Sequence, residues 1–134
     1  MATEKIILCD TNIVIEALKQ DVEILKIINE IGKKNIALSI ITSAELLFGA
    51  RDKVEYVKIR KYIDFLRVIP INLQICELFL NLIEKYALSH RIGIPDTFIA
   101  ATALYYDIEL FTLNKKDFKF IPGIKLFESG FNNE

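Results

Sequence analysis

Four acidic residues stand among small polar neighbours, in Asp10-Thr11-Asn12, Thr42-Ser43-Ala44-Glu45, Pro95-Asp96-Thr97 and Thr112-Leu113-Asn114-Lys115-Lys116-Asp117-Phe118. The surrounding pattern puts Asp10, Glu45, Asp96 and Asp117 where a helix begins or a strand ends. Carboxylates gathered at the strand-end edge of an open α/β sheet repel one another unless a divalent cation sits among them. Hard oxygen ligands of this kind suit Mg²⁺ or Mn²⁺, ions that act on phosphate esters. The chemistry these residues point to is that of a small metal-dependent nuclease.

The elements that must position them follow from periodicity. Residues 5–9 open on Lys5 and continue as four consecutive apolar residues with β-branched members, as in a buried central strand. Thr11 or Asn12 is placed to cap a helix with body 13–19, and Asp21 to start another through Ile31 that Gly32 ends. Residues 36–41 read as a second strand, with Thr42 or Ser43 capping a helix to Phe48 and Gly49. Residues 54–66 have apolar positions at Val54, Val57, Tyr62, Ile63 and Leu66, an amphipathic helix. Val68 and Ile69 make a brief strand closed by Pro70. A longer helix spans 73–89, and Pro95 stands at the first position of a helix reaching Tyr106. Residues 109–112 predict a fourth strand, 115–118 a short helical turn and 124–127 a last strand.

Strands alternating with helices predict an α/β fold, a parallel sheet covered on both faces. Ligands of such sheets sit beyond the carboxyl ends of the strands. Asp10, the helix carrying Glu45 and the Asn114–Asp117 turn all follow strands directly, which assigns them to one edge.

The chain has 134 residues, 52% of them hydrophobic, which suits one domain over residues 1–134 and argues against disorder. No apolar run approaches the ~20 residues a spanning helix needs. Met1-Ala2-Thr3-Glu4-Lys5 leads straight into a strand without a signal peptide's apolar region. The expectation is a soluble cytoplasmic protein with no membrane partner. Cys9 and Cys76 lack any CxxC or Cys/His neighbourhood and read as small buried hydrophobes with free thiols.

A formal charge of −1 argues against a general polyanion binder. Two local clusters run against that balance: Arg51, Lys53, Lys58, Arg60, Lys61 and Arg67 in one, and Lys115, Lys116, Lys119 and Lys125 in the other. Each alone reads as a solvated face; beside an acidic metal pocket, either is able to hold a phosphate backbone. His90 is the only histidine and reads as a surface loop residue. Metal-free ribonucleases commonly need two acid/base groups near neutral pH, most often histidines. Nuclease chemistry here therefore has to come from metal. No G-x-S-x-G, GxGxxG or P-loop is present.

Each acid also has a bland reading. Thr42-Ser43-Ala44-Glu45 matches a capping box. Asp96 after Pro95 complements a helix dipole, Asn114 and Asp117 have cap-and-N3 spacing, and Asp10 ends a strand in a turn. The joint pattern outweighs these readings. A charge after four apolar residues near a sheet centre is costly unless neutralised or coordinated, and topology brings three of the sites to one edge.

The quoted motifs resemble those of the PIN-domain nucleases, and more narrowly the VapC-type toxins of toxin–antitoxin pairs, over nearly the whole chain. The resemblance rests on Asp10-Thr11-Asn12, Thr42-Ser43-Ala44-Glu45-Leu46 with Gly49, Asp96-Thr97-Phe98-Ile99-Ala100-Ala101, and the segment from Thr112 to Phe118. It implies a Rossmann-like α/β/α sandwich with a five-stranded parallel sheet. It implies Mg²⁺ or Mn²⁺ bound chiefly by Asp10 and Asp96, with Glu45 and Asp117 completing the acidic pocket. Thr11, Asn12, Thr112 and Asn114 match positions that orient the carboxylates or a water. The resemblance further implies an RNA substrate, a homodimer and a cognate antitoxin. The resulting expectation is an endoribonuclease in which Glu45 or Asp117 positions the attacking water or a second ion. Two alternatives are a receiver-like Mg²⁺-binding regulatory domain, which needs an acceptor Asp after the third strand, and an inactive PIN-type interaction scaffold.

Overall fold

The computed structural model describes residues 5–130. The opening Met1-Ala2-Thr3-Glu4, read above as leading directly into a strand, lies outside the described residues. Along the chain run β1 (Ile7–Cys9), α1 (Thr11–Leu18), α2 (Val22–Ile31), β2 (Ile36–Ser39), α3 (Ile40–Phe48), α4 (Lys53–Asp64), β3 (Arg67–Ile69), α5 (Leu73–Tyr86), α6 (Ile94–Tyr106) and β4 (Glu109–Phe111). Short 3-10 turns occupy Lys33–Asn35 and Lys115–Asp117.

The strands pair in parallel in the order β3-β2-β1-β4. Side chains of successive strand residues point to opposite faces, and the core divides accordingly. Ile7, Cys9, Ile36, Leu38 and Phe111 pack with α1 to α4 in one layer. Leu8, Ala37 and Leu110 pack with α5, α6 and the buried Phe118 and Ile121 in the other. This is the expected α/β/α arrangement with a parallel sheet.

The fifth strand is reduced to a single parallel bridge between Leu110 and Leu126. Two backbone bonds secure it, Leu110 N–H to Lys125 O and Phe127 N–H to Leu110 O. The sheet thus has four strands where the resemblance implied five. Pro122 and Gly123, with φ of 85° at the glycine, turn the chain just before this segment and leave it only a brief pass along β4. β3 lies at the sheet edge and is followed by Pro70-Ile71-Asn72, so the acceptor aspartate of the receiver alternative is missing.

Several helix boundaries move for identifiable reasons. Asp10 itself caps α1, accepting the Thr11 N–H at 2.8 Å, where Thr11 or Asn12 was expected. β2 stops at Ser39, whose hydroxyl accepts from Ile41 N–H and caps α3. The Thr42-Ser43 cap is therefore not used, and Glu45 stands in the last turn of α3, its carbonyl accepting from Gly49 N–H. Asp21 caps α2 by accepting from Ile24 N–H, and Gly32 ends it with φ of 93°, both as expected. α4 buries Ile59 and Ile63, leaving Val54 and Val57 exposed instead of on the core stripe. Cys76 is exposed rather than buried, while Cys9 is buried; both thiols are free.

Candidate active site

The strand order creates the site. The chain runs outward from β1 through β2 to β3, then returns to pair β4 on the other side of β1. The β1/β4 boundary is thus a topological switch point, where loops leaving the two strands part and open a crevice. Asp10 follows β1 and Thr112 follows β4, and the Asp10 N–H donates to Phe111 O at 2.9 Å across the boundary.

Asp10 is 4% exposed, and both its oxygens are held. Oδ1 accepts from the Thr11 N–H, and Oδ2 accepts from the Thr112 hydroxyl at 2.7 Å. Thr112 Oγ1 in turn accepts from the Asn114 N–H at 3.0 Å. Burial raises the Asp10 carboxyl above its ordinary range. The bonds from Thr112 and Thr11 oppose that rise, and the nearby charges of Glu45 and Asp117 add to it. Hydrogen bonds to the charged form thus keep a buried carboxylate able to ionise.

Asp96 lies in the first turn of α6, next to Pro95. The turn is anchored by Thr97, fully buried, whose hydroxyl donates to Gly93 O at 2.6 Å. Burial pushes the Asp96 carboxyl up to about 6, and the charges of Asp10, Asp117 and Glu45 push in the same direction. The carboxylates of Asp10, Asp117 and Glu45 thus lie close enough for their charge to act on Asp96.

Glu45 is exposed and accepts from the Thr11 hydroxyl at 2.7 Å. Thr42, fully buried one turn earlier on α3, lies 3.1 Å from the same hydroxyl. Thr42 thus ties α3 to the start of α1, a role that its reading as a helix cap missed. Asn12 Oδ1 accepts from Leu113 N–H at 3.3 Å and bridges the loops after β1 and β4. Asn114 stands at the N-cap position of the Lys115–Asp117 turn, its carbonyl accepting from Asp117 N–H at 3.0 Å, but its side chain makes no cap bond. Asp117 and Asp96 line one cavity of about 200 Å³, which also takes in His90, Arg91, Lys116 and Phe120. Glu45 instead borders a groove of about 430 Å³ with Ile15, Leu46, Arg51 and Lys58.

Among the described residues, no three His, Cys, Asp or Glu side chains converge closely enough to cage an ion by themselves. Mg²⁺ dehydrates reluctantly and is commonly held by one or two carboxylates with several waters retained. Two partly desolvated carboxylates, Asp10 raised by burial and the charges of Glu45 and Asp117, and Asp96 raised by burial and the charge of Asp10, fit an ion of that type.

The profile of the PIN domain matches residues 7–123, from the first residue of β1 through all four acids. The chain belongs to the PIN-domain family. Over 74 residues it is 34% identical to Ribonuclease VapC of Rickettsia bellii. That stretch covers 54% of this chain and 52% of that protein, so the alignment spans about half of the relative's length. Among solved structures, this PIN domain is similar to a toxin–antitoxin complex from Klebsiella pneumoniae, with TM-score 0.74 and 32% identity over 87% of this chain and 93% of that one. It is also similar to VapBC2 from Rickettsia felis bound to a DNA fragment from their promoter, with TM-score 0.80 and 28% identity over 91% and 97% of the two chains.

Proposed function

We propose that this PIN domain is a metal-dependent endoribonuclease acting in the cytoplasm as the toxin of a toxin–antitoxin pair. The observation that carries the reading is the switch-point carboxylate, Asp10, buried yet hydrogen-bonded at both oxygens and coupled in charge to Asp96. The likeness to a ribonuclease and to a toxin–antitoxin complex supports the substrate class and the partner. No helix among the described residues is long and apolar enough to cross a membrane.

Asp10 and Asp96 are the residues that would hold Mg²⁺ or Mn²⁺. A divalent cation bound there supplies Lewis acidity, lowering the pKa of water and offsetting charge on phosphate oxygens. Thr11 and Thr112 fix the Asp10 carboxylate, so little reorganisation is needed when charge develops on the phosphate. Thr11 also holds Glu45 at 2.7 Å, which orients that carboxylate as an acceptor for a water proton. Asp117, on the turn following β4, contributes negative charge to the cavity it shares with Asp96.

Water-driven hydrolysis leaves 5′-phosphate and 3′-hydroxyl ends, whereas attack by the RNA's own 2′-hydroxyl leaves a cyclic phosphate. Incubation with RNA and Mg²⁺ or Mn²⁺, followed by end-group analysis, is expected to give the first pair, with cleavage lost in EDTA. Cyclic ends, or cleavage undiminished by chelation, would exclude the metal mechanism. No cleavage under any condition would favour the inactive scaffold.

The same reading includes a homodimer. Phe48 at the end of α3 is 93% exposed and Val54 on α4 is 81% exposed, while Leu46 is buried within the subunit. Aromatic and aliphatic side chains so placed favour burial against a second surface. Light scattering at micromolar concentration is expected to report a dimer, and a monomer there would rule out this assembly.

A further inference from the structure

The lysine clusters of the sequence are not equivalent once folded. Arg51 pairs with Glu55, Arg60 with Asp64, Lys115 with Glu128 and Lys125 with Asp107. Among the described residues, Arg91 and Lys116 form no ion pair. Both are exposed, and both line the 200 Å³ cavity that Asp96 and Asp117 also border. Two cations outside any ion pair thus line the same cavity as Asp96 and Asp117.

His90 and Phe120 supply an aromatic part of the same wall. His90 stacks on Phe120 with ring centroids 4.0 Å apart and planes 11° from parallel. Tyr86 braces both rings edge-on, at 5.4 Å from His90 and 5.0 Å from Phe120. The Ser89 hydroxyl lies 2.8 Å from His90 Nδ1. An exposed imidazole held by three neighbours is a pre-ordered planar surface, and such surfaces bind unpaired bases by stacking. Arg91 adopts a left-handed backbone, φ of 53°, a conformation uncommon for arginine.

We propose that the cavity between His90, Arg91, Lys116 and Phe120 is a nucleotide subsite for single-stranded RNA beside the acidic centre. Arg91 and Lys116 take the phosphate, and a base stacks against His90. The ligand's identity rests on the ribonuclease reading; the cavity, cations and stacked rings do not. Double-stranded RNA fits less well, because its bases are already stacked on one another.

Anisotropy of a labelled single-stranded oligoribonucleotide, titrated in EDTA so that no metal-dependent cleavage occurs, tests the subsite directly. Each phosphate neutralised contributes about 0.7 to the slope of log affinity against log salt. Arg91→Asn combined with Lys116→Gln is expected to reduce that slope by about 0.7, the contribution of one phosphate; asparagine is chosen because it tolerates the left-handed backbone. Lys119→Gln, on an exposed lysine outside the cavity, is expected to leave the slope unchanged. His90→Ala is expected to weaken binding about five-fold or more with the slope unaltered, and His90→Phe to restore it.

No measurable binding by wild-type protein at low salt overturns the proposal, as does an unchanged slope in the double variant or an equal loss for Lys119→Gln. Sensitivity to the cations without sensitivity to His90→Ala would mean that the backbone phosphate alone is held and no base stacks there, and also overturns it. Binding as expected, with no cleavage in Mg²⁺ or Mn²⁺, refutes the ribonuclease reading alone. Cleavage with unaffected variants refutes the subsite alone.

Discussion

Asp96→Asn is expected to abolish RNA cleavage, by more than about 100-fold, while leaving the protein folded. The substitution keeps the side chain's size but removes the charge that a divalent cation requires, so Mn²⁺ affinity falls with activity. Its effect on stability has a defined sign. The folded-state value of about 6 exceeds the ordinary 3.8, so the native state binds more protons than the unfolded state between those values. Stability of the metal-free protein therefore falls as pH rises through that window, and the loss is complete above about pH 6. Because the group is half-exposed, the loss is on the order of 1 kcal/mol, well below the full shift.

Asparagine removes that loss and forgoes a dipole contribution of roughly 0.3–1 kcal/mol. At neutral pH the metal-free variant is then as stable as wild type or more so, and below pH 4 its relative advantage disappears. Denaturant titrations at several pH values, with cleavage assays alongside, check both halves. If Asp96 served only the helix dipole, the variant would lose stability and keep its activity. Asp10→Asn is expected to behave alike in activity. Full activity in either purified variant would refute the site assignment.

Phe118→Ala is expected to cost roughly 3–5 kcal/mol, the largest loss of stability at a single position near the site. Phe118 is fully buried in the layer formed with α5 and α6. Its N–H donates to Lys115 O, and its carbonyl accepts from Ile121 N–H, so the ring anchors the turn carrying Lys116 and Asp117. A loss of this size is a large fraction of the ~5–15 kcal/mol by which domains are stable. The exposed Phe48→Ala is expected to change subunit stability by no more than about 0.5 kcal/mol. Urea unfolding of the two variants at low protein concentration compares them. Equal midpoints would mean that the segment after β4 does not depend on this ring.

The layers of the fold were legible because a strand's period and a helix's period are local properties. Residues 5–9 read as a buried strand, Asp21 and Gly32 bound α2, and Pro95 sits in the first turn of α6. The type and order of the four acids are read directly from the sequence, and Asp10 stands out because a carboxylate following an apolar run is costly wherever the run packs. Local pattern was less reliable where several residues satisfied it equally. Ser39, Thr42 and Ser43 are all competent caps, and where β2 ends chose among them. The valines and isoleucines of α4 allow more than one buried face, and the sheet selected Ile59 and Ile63.

Strand order lies beyond local pattern altogether. Placing β4 beside β1 lets Thr112 reach Asp10 across 102 positions, and nothing near either residue specifies that pairing. Ion pairing behaves the same way. Lys115 and Lys116 are adjacent in sequence, yet one meets Glu128 and the other faces the cavity of Asp96 and Asp117. Residue types determined what chemistry the chain can perform. The tertiary structure decided which carboxylates are coupled and which cations stay free, because both depend on distances that only the assembled sheet creates.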